Sequence, residues 1–219
     1  MLIEMVRYAL SPGVAPEEHR QAALETHETA ISQLPGFRDR ILCPPGIHEE
    51  WIDLVIWEDR HAFEHASKSV HTDPKLAKWM GQINESSVVM QVGEVRCVHG
   101  TEPPALKHAG CWLGVCWKTL PDVDQDAHLA LDKEVHRDIM AKIDGYLGAY
   151  TAKDEKSGTW FELVAWRDQA AAHAGSEKAV VDCLAHPVYK RHMEECDEAS
   201  VSMTFIEPKV VMPVVTKTG

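Results

Sequence analysis

The sequence predicts an α+β fold made of two β-α-β-β-α-β repeats, and three observations predict it. In each half the hydrophobic period switches between two and 3.6 residues in the same order. The two halves fall into register at an offset of 109 positions. A stretch with Gly and two consecutive Pro, Val98-His-Gly-Thr-Glu-Pro-Pro-Ala-Leu-Lys107, separates them.

The register runs the length of the chain. Val6 aligns with Val115, Pro12 with Pro121, His19 with His128, His27 with His136 and Gly36 with Gly145. Trp51-Ile-Asp-Leu-Val-Ile-Trp57 overlies Trp160-Phe-Glu-Leu-Val-Ala-Trp166. An insertion then raises the offset to 113, after which Pro74 meets Pro187 and Met80 meets Met193. The organisation expected is repeat one over 1–98, a linker over 99–107, repeat two over 108–207 and a C-terminal arm over 208–219. Each repeat is about 100 residues, enough for one small core.

Residues 2–10 and 111–119 are short β-rich apolar runs closed by Pro12 and Pro121, which reads as strand. Pro16 opens a helix toward Leu34, with Leu24, His27, Ile31 and Leu34 on one face. Its counterpart runs from about Asp124 to Ile143 and carries Leu129, His136 and Met140 on the same stripe. Gly36 and Gly145 stop these helices, as a C-terminal glycine does. Strands follow at 37–43 and 146–152, then at 51–57 and 160–166. Helical stretches at 59–70 with 74–84, and at 168–184 with 187–197, lead into final strands near 87–97 and 200–207. This order is the ferredoxin-like arrangement.

Composition narrows the function classes. With 22 Lys+Arg against 34 Asp+Glu the formal charge is −12, which phosphate backbones and anionic lipid surfaces repel. Neither nucleic acid nor a membrane is expected as a partner. The N-terminal Met1-Leu-Ile-Glu lacks the basic start of a signal peptide, so a cytoplasmic location is expected. The six cysteines are scattered without a CxxC pair, which signals neither a disulfide framework nor a zinc ribbon. No P-loop, G-x-S-x-G elbow or dinucleotide fingerprint occurs.

Leu-Pro-Gly-Phe (34–37) after the first helix and Val-Ile-Trp-Glu-Asp (55–59) before a His-bearing helix are similar to motifs of a known superfamily. The chain thereby resembles the antibiotic-biosynthesis-monooxygenase type of dimeric α/β-barrel protein. The resemblance implies that the two repeats pack sheet to sheet as an intramolecular α/β barrel. Cofactor-independent oxygenation, cyclase or isomerase chemistry, and haem-dependent reactions are all implied by it, and so are non-catalytic members.

Among candidate catalytic residues, His27 and His136 occupy the middle of their helices' apolar stripes and point at their own sheets. A buried imidazole there serves as a general base or as a hydrogen-bonded core residue. His19 and His128 fall toward the edge of the stripe and are expected to be solvated. His192 shares a face with Tyr189, Met193 and Cys196 and aligns with Trp79 of the first repeat. Under the resemblance, Val-Tyr-Lys-Arg-His (188–192) is similar to the helix carrying a haem-ligating His, so haem or a divalent metal is the alternative to a cofactor-free site. Trp51, Trp57, Trp160 and Trp166 repeat on one strand face, where with Tyr189 they would pack the core or wall a flat aromatic ligand. His61 and His65 have metal-binding spacing but face outward, so no metal ligands are assigned.

The expected function is an enzyme on a small apolar or aromatic metabolite, a cofactor-independent monooxygenase or related cyclase/isomerase. A non-catalytic ligand-binding or stress-response protein is the rival. The larger pocket is expected in 108–207, bounded by His136, Trp160 or Trp166, and His192, with His173 expected to point toward the same sheet. A monomer is sufficient for the barrel, and any homo-oligomer would form through outer surfaces.

Overall fold

A computed structural model describes all residues except 46–49, 71, 101–103, 184, 209 and 213–219. The chain divides into two compact units, Met1–Val92 with Lys209–Gly219, and Gly93–Pro208.

The first unit contains β1 (Leu2–Tyr8), α1 (Pro16–Thr29), β2 (Phe37–Cys43), β3 (Trp51–Trp57), α2 (Arg60–Val70) and α3 (Pro74–Met80). Strand β4 (Val89–His99) begins in this unit and ends in the second. The second unit continues with β5 (Cys111–Trp117), α4 (Gln125–Asp138), β6 (Tyr146–Lys153), β7 (Trp160–Trp166), α5 (Gln169–Cys183), α6 (Pro187–Glu194) and β8 (Ser202–Ile206). Of the C-terminal arm, Val210–Val211 form β9.

Strand order is β4-β1-β3-β2-β9 in the first unit and β8-β5-β7-β6-β4 in the second. The C-terminal part of β4, from Glu94 to His99, pairs antiparallel with β6, and β9 pairs antiparallel with β2. Among the described residues this hydrogen bonding is open, with β8 and β9 as its ends, and does not draw the closed barrel implied by the resemblance.

The first-repeat helix is shorter than its apolar stripe suggests. α1 stops at Thr29, the backbone breaks at Ala30 (φ −135°), and a 3-10 turn takes Ile31–Gln33; α4 and Met140–Lys142 do the same. The stripe continues through the break because the turn still presents Ile31 and Met140 to the core. Gly36 (φ +75°) and Gly145 (φ +85°) then reverse the chain, and each lies against the next helix. A Cβ there would come within 2.4 Å of Ala62 Cβ and 2.5 Å of Ala171 Cβ, respectively. Pro16 and Pro74 fill first-turn helix positions that need no N–H donor, while Asp73 and Asp124 cap α3 and α4.

Register places the polar residues. Glu4 lies opposite Val55 and Val6 opposite Asp53 across β1 and β3, while Arg40 of β2 is also opposite Val55. These side chains therefore share a face, on which Tyr8, Trp51, Val55 and Trp57 pack with residues of α1, α2 and α3. In the second unit the matching face carries Val115, Glu162, Val164, Thr151 and His99. No described helix is long and apolar enough to cross a membrane, and no disulfide joins the described cysteines.

Candidate functional site

The first unit encloses a cavity of about 540 Å³ between its sheet and helices. Its wall is mostly apolar, from Val6, Val55, Ile31, Leu34, Met80 and Ile83 among others, with Trp57 and Trp79 as aromatic surfaces. Four polar side chains join it: Glu4, Tyr8, Arg40 and Asp53. This volume suits a drug-sized ligand, and an apolar wall with few polar groups is the usual composition of such a site.

The polar groups are mutually arranged. Arg40 is fully buried and grips Asp53 bidentately, Nε to Oδ1 at 2.8 Å and Nη2 to Oδ2 at 2.6 Å. The Trp79 ring lies 5.0 Å from the guanidinium carbon. Glu4 accepts a hydrogen bond from Trp57 Nε1 at 2.8 Å. Burial, reinforced by the Asp53 charge, raises Glu4 to a pKa of about 7 against the opposing Trp57 bond and Arg40 charge. Burial also holds the Tyr8 phenol well above its ordinary value.

A hydrogen-bonded chain runs from the cavity to the surface. Tyr8 Oη is 2.9 Å from His19 Nε2, His19 Nδ1 is 3.1 Å from Gln82 Oε1, and Gln82 Nε2 donates to the exposed Glu18 at 3.1 Å.

The second unit differs. Its cavity is about 110 Å³, bordered by Asp132, His136, Glu162, Trp166, Tyr189 and His192. Of these two cavities the larger is in the first repeat, opposite to the sequence expectation. Polar side chains fill the second instead. His136 bonds Tyr146 Oη through Nδ1 at 2.8 Å and Glu162 through Nε2. Its ring stacks on His99 at 3.8 Å. Thr151 donates to Asp132 Oδ2 at 2.7 Å and bonds His99 Nε2 at 2.8 Å. Burial would raise Asp132, but the His99 hydrogen bond and the charges of His136, His99 and His192 outweigh it and hold the carboxyl below its ordinary value. Burial lowers His136, yet Glu162 and Asp132 outweigh it and its pKa is raised. His192 is lowered, chiefly by burial.

The candidate residues separate accordingly. His136 and His192 are buried beside the smaller cavity with Trp166 and Tyr189. His27 is buried too, edge-on to Phe37 at 5.6 Å, but does not line the larger cavity. Of the four candidate tryptophans, Trp57 and Trp166 border the two cavities and Trp51 and Trp160 do not. Trp51 packs against His19 at 4.7 Å, and Trp160 stacks on Trp117 while donating to Gln125.

Two further expectations fail. His19 and His128 are fully buried rather than solvated, because each bonds an aromatic donor on the first strand of its repeat, Tyr8 or Trp117. His173 is exposed on α5 against Phe205 and faces neither cavity. His61 and His65 are exposed, as expected. Sequence reasoning missed Glu4, Tyr8, Arg40, His99 and Asp132. A usable signal existed for Glu4 and Asp53, charged residues on otherwise apolar strand faces, since such charges are rarely buried without a partner.

No protein-family model matches the sequence, and a search of curated proteins returns no match. Solved structures do match. An anthrone oxidase-like protein aligns at TM-score 0.65 and 11% identity, over 94% of this chain and 90% of that one. A proposed monooxygenase from Fusobacterium nucleatum subsp. nucleatum aligns at 0.62 and 11%, over 100% and 95%. A Listeria monocytogenes ferredoxin-fold protein related to antibiotic biosynthesis monooxygenases aligns at 0.51 and 10%, over 96% of each chain. The fold is therefore that of the antibiotic-biosynthesis-monooxygenase-like ferredoxin-fold proteins, across the whole chain.

Proposed function

We propose that the chain is a cofactor-independent oxygenase for a flat, hydroxylated aromatic substrate bound in the first-unit cavity, with Glu4 as general base. One observation carries this reading: a carboxyl with a pKa of about 7 on the wall of an apolar cavity of about 540 Å³. A base is most effective when its pKa lies near the working pH, and few carboxylates reach that value. The anthrone oxidase-like neighbour supports the substrate class. In an anthrone the methylene between two aromatic rings is acidic, so Glu4 would take its proton and the carbanion would reduce oxygen. The hydroperoxide then loses water, so that the methylene and one O2 become a ketone and one H2O. The substrate supplies the electrons, and no cofactor is needed. Trp57 and Trp79 would stack the rings and exclude water.

The general base differs from the buried histidines expected from sequence. His136 is already engaged by Tyr146 and Glu162, and the space beside it is smaller than the roughly 300 Å³ at which ligand pockets begin. A tetrapyrrole on His192 does not fit that space.

Oxygen uptake with anthrone as probe, on chelator-treated protein without added cofactor, tests the reading. Wild-type turnover that Glu4→Gln abolishes is the expected result. Equal rates for both proteins, or no uptake with anthrone and related phenols, would overturn it.

A further inference from the structure

We propose that the second unit contains a binding site for a divalent transition-metal ion, with His99, Asp132, His136 and Glu162 as ligands. Each offers one donor atom, and all four atoms lie within 4.8 Å of one another. His99 Nε2 is 3.2 Å from Asp132 Oδ2, and His136 Nε2 is 3.8 Å from Asp132 Oδ1 and in contact with Glu162 Oε1. Ligand bonds of roughly 2.0–2.2 Å to a zinc-like ion put neighbouring donors about 3.0–3.6 Å apart, so small side-chain shifts suffice. Two neutral imidazoles and two carboxylates cancel a charge of +2 in a buried place. This mixed N/O set favours Zn²⁺, Fe²⁺, Co²⁺ or Mn²⁺ over Ca²⁺ or Cu⁺.

The surroundings are those of a supported ligand set. The second nitrogen of His136 bonds Tyr146, and Thr151 donates to Asp132, as outer partners do when they orient metal ligands. A second, independent observation is His192. It is 8% exposed, neither ring nitrogen has a hydrogen-bond partner, and its Nε2 lies 3.8 Å from Asp132 Oδ1. A buried imidazole without partners is costly, and a fifth ligand bond or a metal-bound water would satisfy it. The adjoining cavity of about 110 Å³, bordered by Asp132, His136, Glu162 and His192, has room for such water.

Comparison of the repeats isolates the set. By the sequence register, Asp132, Tyr146, Thr151, His192 and His99 correspond to Ala23, Phe37, Leu42, Trp79 and Met212. Only His27 and Asp53 retain ligand-type side chains, and Asp53 is taken by Arg40. The first repeat lacks the constellation, whereas the second carries the ligands together with their outer partners.

Imidazolium–carboxylate pairing accounts for the same contacts without an ion, so the experiment must separate the two. The chelator-treated full chain is titrated with Co²⁺, followed by visible absorption and calorimetry. One equivalent is expected to bind with d–d bands, with affinity at least about 100-fold weaker in Glu162→Gln, since even outer partners are worth 10–100-fold. His61→Ala/His65→Ala removes the exposed His pair and should leave uptake intact. No uptake by the wild-type chain, uptake lost with the exposed pair, or uptake unchanged in Glu162→Gln would each overturn the proposal. Should Glu162→Gln fail to fold, X-ray absorption at the cobalt edge of the His61→Ala/His65→Ala chain decides. Two imidazoles with oxygen ligands support the site, and sulfur or fewer imidazoles refute it.

Discussion

Tyr8 donates its phenolic proton to His19 Nε2 across 2.9 Å, and this direction is fixed from the far end of the hydrogen-bonded chain. The Glu18 carboxylate only accepts, so Gln82 turns its NH2 group toward it and its carbonyl oxygen toward His19. His19 therefore carries its proton on Nδ1 and accepts at Nε2. In the second repeat Trp117 donates to His128 Nε2 at 3.0 Å, and the Glu195 carboxylate accepts from Nδ1 at 3.0 Å. The same tautomer recurs, but an indole cannot exchange its proton as a phenol does. Burial lowers the His19 pKa, the largest influence on it. Replacing Gln82 by Glu copies the second repeat and places a carboxylate on Nδ1, favouring the imidazolium. NMR titration of His19 in Gln82→Glu should show a pKa at least one unit above wild type, roughly 1.4 kcal/mol. An unchanged value would mean the Gln82 contact is absent in solution.

Glu4 links activity to pH and opposes stability. Oxygen uptake should climb as pH rises through about 7, where Glu4 ionises, and Glu4→Gln should lose at least about 100-fold. The folded pKa is raised above the unfolded value, so between about 4.5 and 7 the native state binds more protons than the unfolded one. Stability conferred by protonated Glu4 is complete below this window and is lost as pH rises across it. Urea unfolding should find Glu4→Gln close to wild type at pH 4 and more stable at pH 8. A Gln variant less stable at pH 8 would contradict the burial of an ionising carboxyl.

Periodicity made the strands, the helices and their order legible, because each element buries one face. The apolar stripe His27–Ile31–Leu34 extended past the true helix end, since a 3-10 turn keeps the same residues inward. What escaped was pairing between distant elements. His99 lies in a segment that reads as linker, and only its pairing with β6 places it beside Thr151. Asp132 resembles an ordinary helix acid until α4 packs against α6 and the sheet. His19 reads as solvated because spacing along one helix cannot reveal Tyr8 on a strand. The cavity sizes were inverted for a related reason: Trp79 was expected to fill its pocket, but it lies over Arg40 at the cavity wall.

The Arg40–Asp53 pair should behave as a buried charge couple in which single deletions are worse than joint ones. Asp53→Asn leaves a fully buried guanidinium without its counter-charge and should destabilise the chain by about 3–5 kcal/mol. Arg40→Met with Asp53→Leu removes both charges and supplies apolar volume, so much of that loss should be recovered. Denaturant midpoints of the two singles and the double give the coupling directly. A double variant as unstable as the sum of the singles would show that the groups act independently.

Gly175 offers a packing test in the second unit. It lies within α5, where Ala would ordinarily be favoured by about 1 kcal/mol. A Cβ at this position would meet the Trp166 ring at 2.1 Å, far inside any tolerable contact. The indole is fully buried and borders the smaller cavity, so it can yield only by moving into that space or by displacing α5. Overpacking of this kind costs about 1–3 kcal/mol. Gly175→Ala should therefore lower stability despite its better helix propensity, and should shift Trp166 fluorescence. Trp166→Phe removes the clashing part of the ring, so adding Gly175→Ala to that background should be neutral or stabilising. A double-mutant cycle by thermal unfolding measures the difference, and additivity of the two substitutions would show that they do not touch.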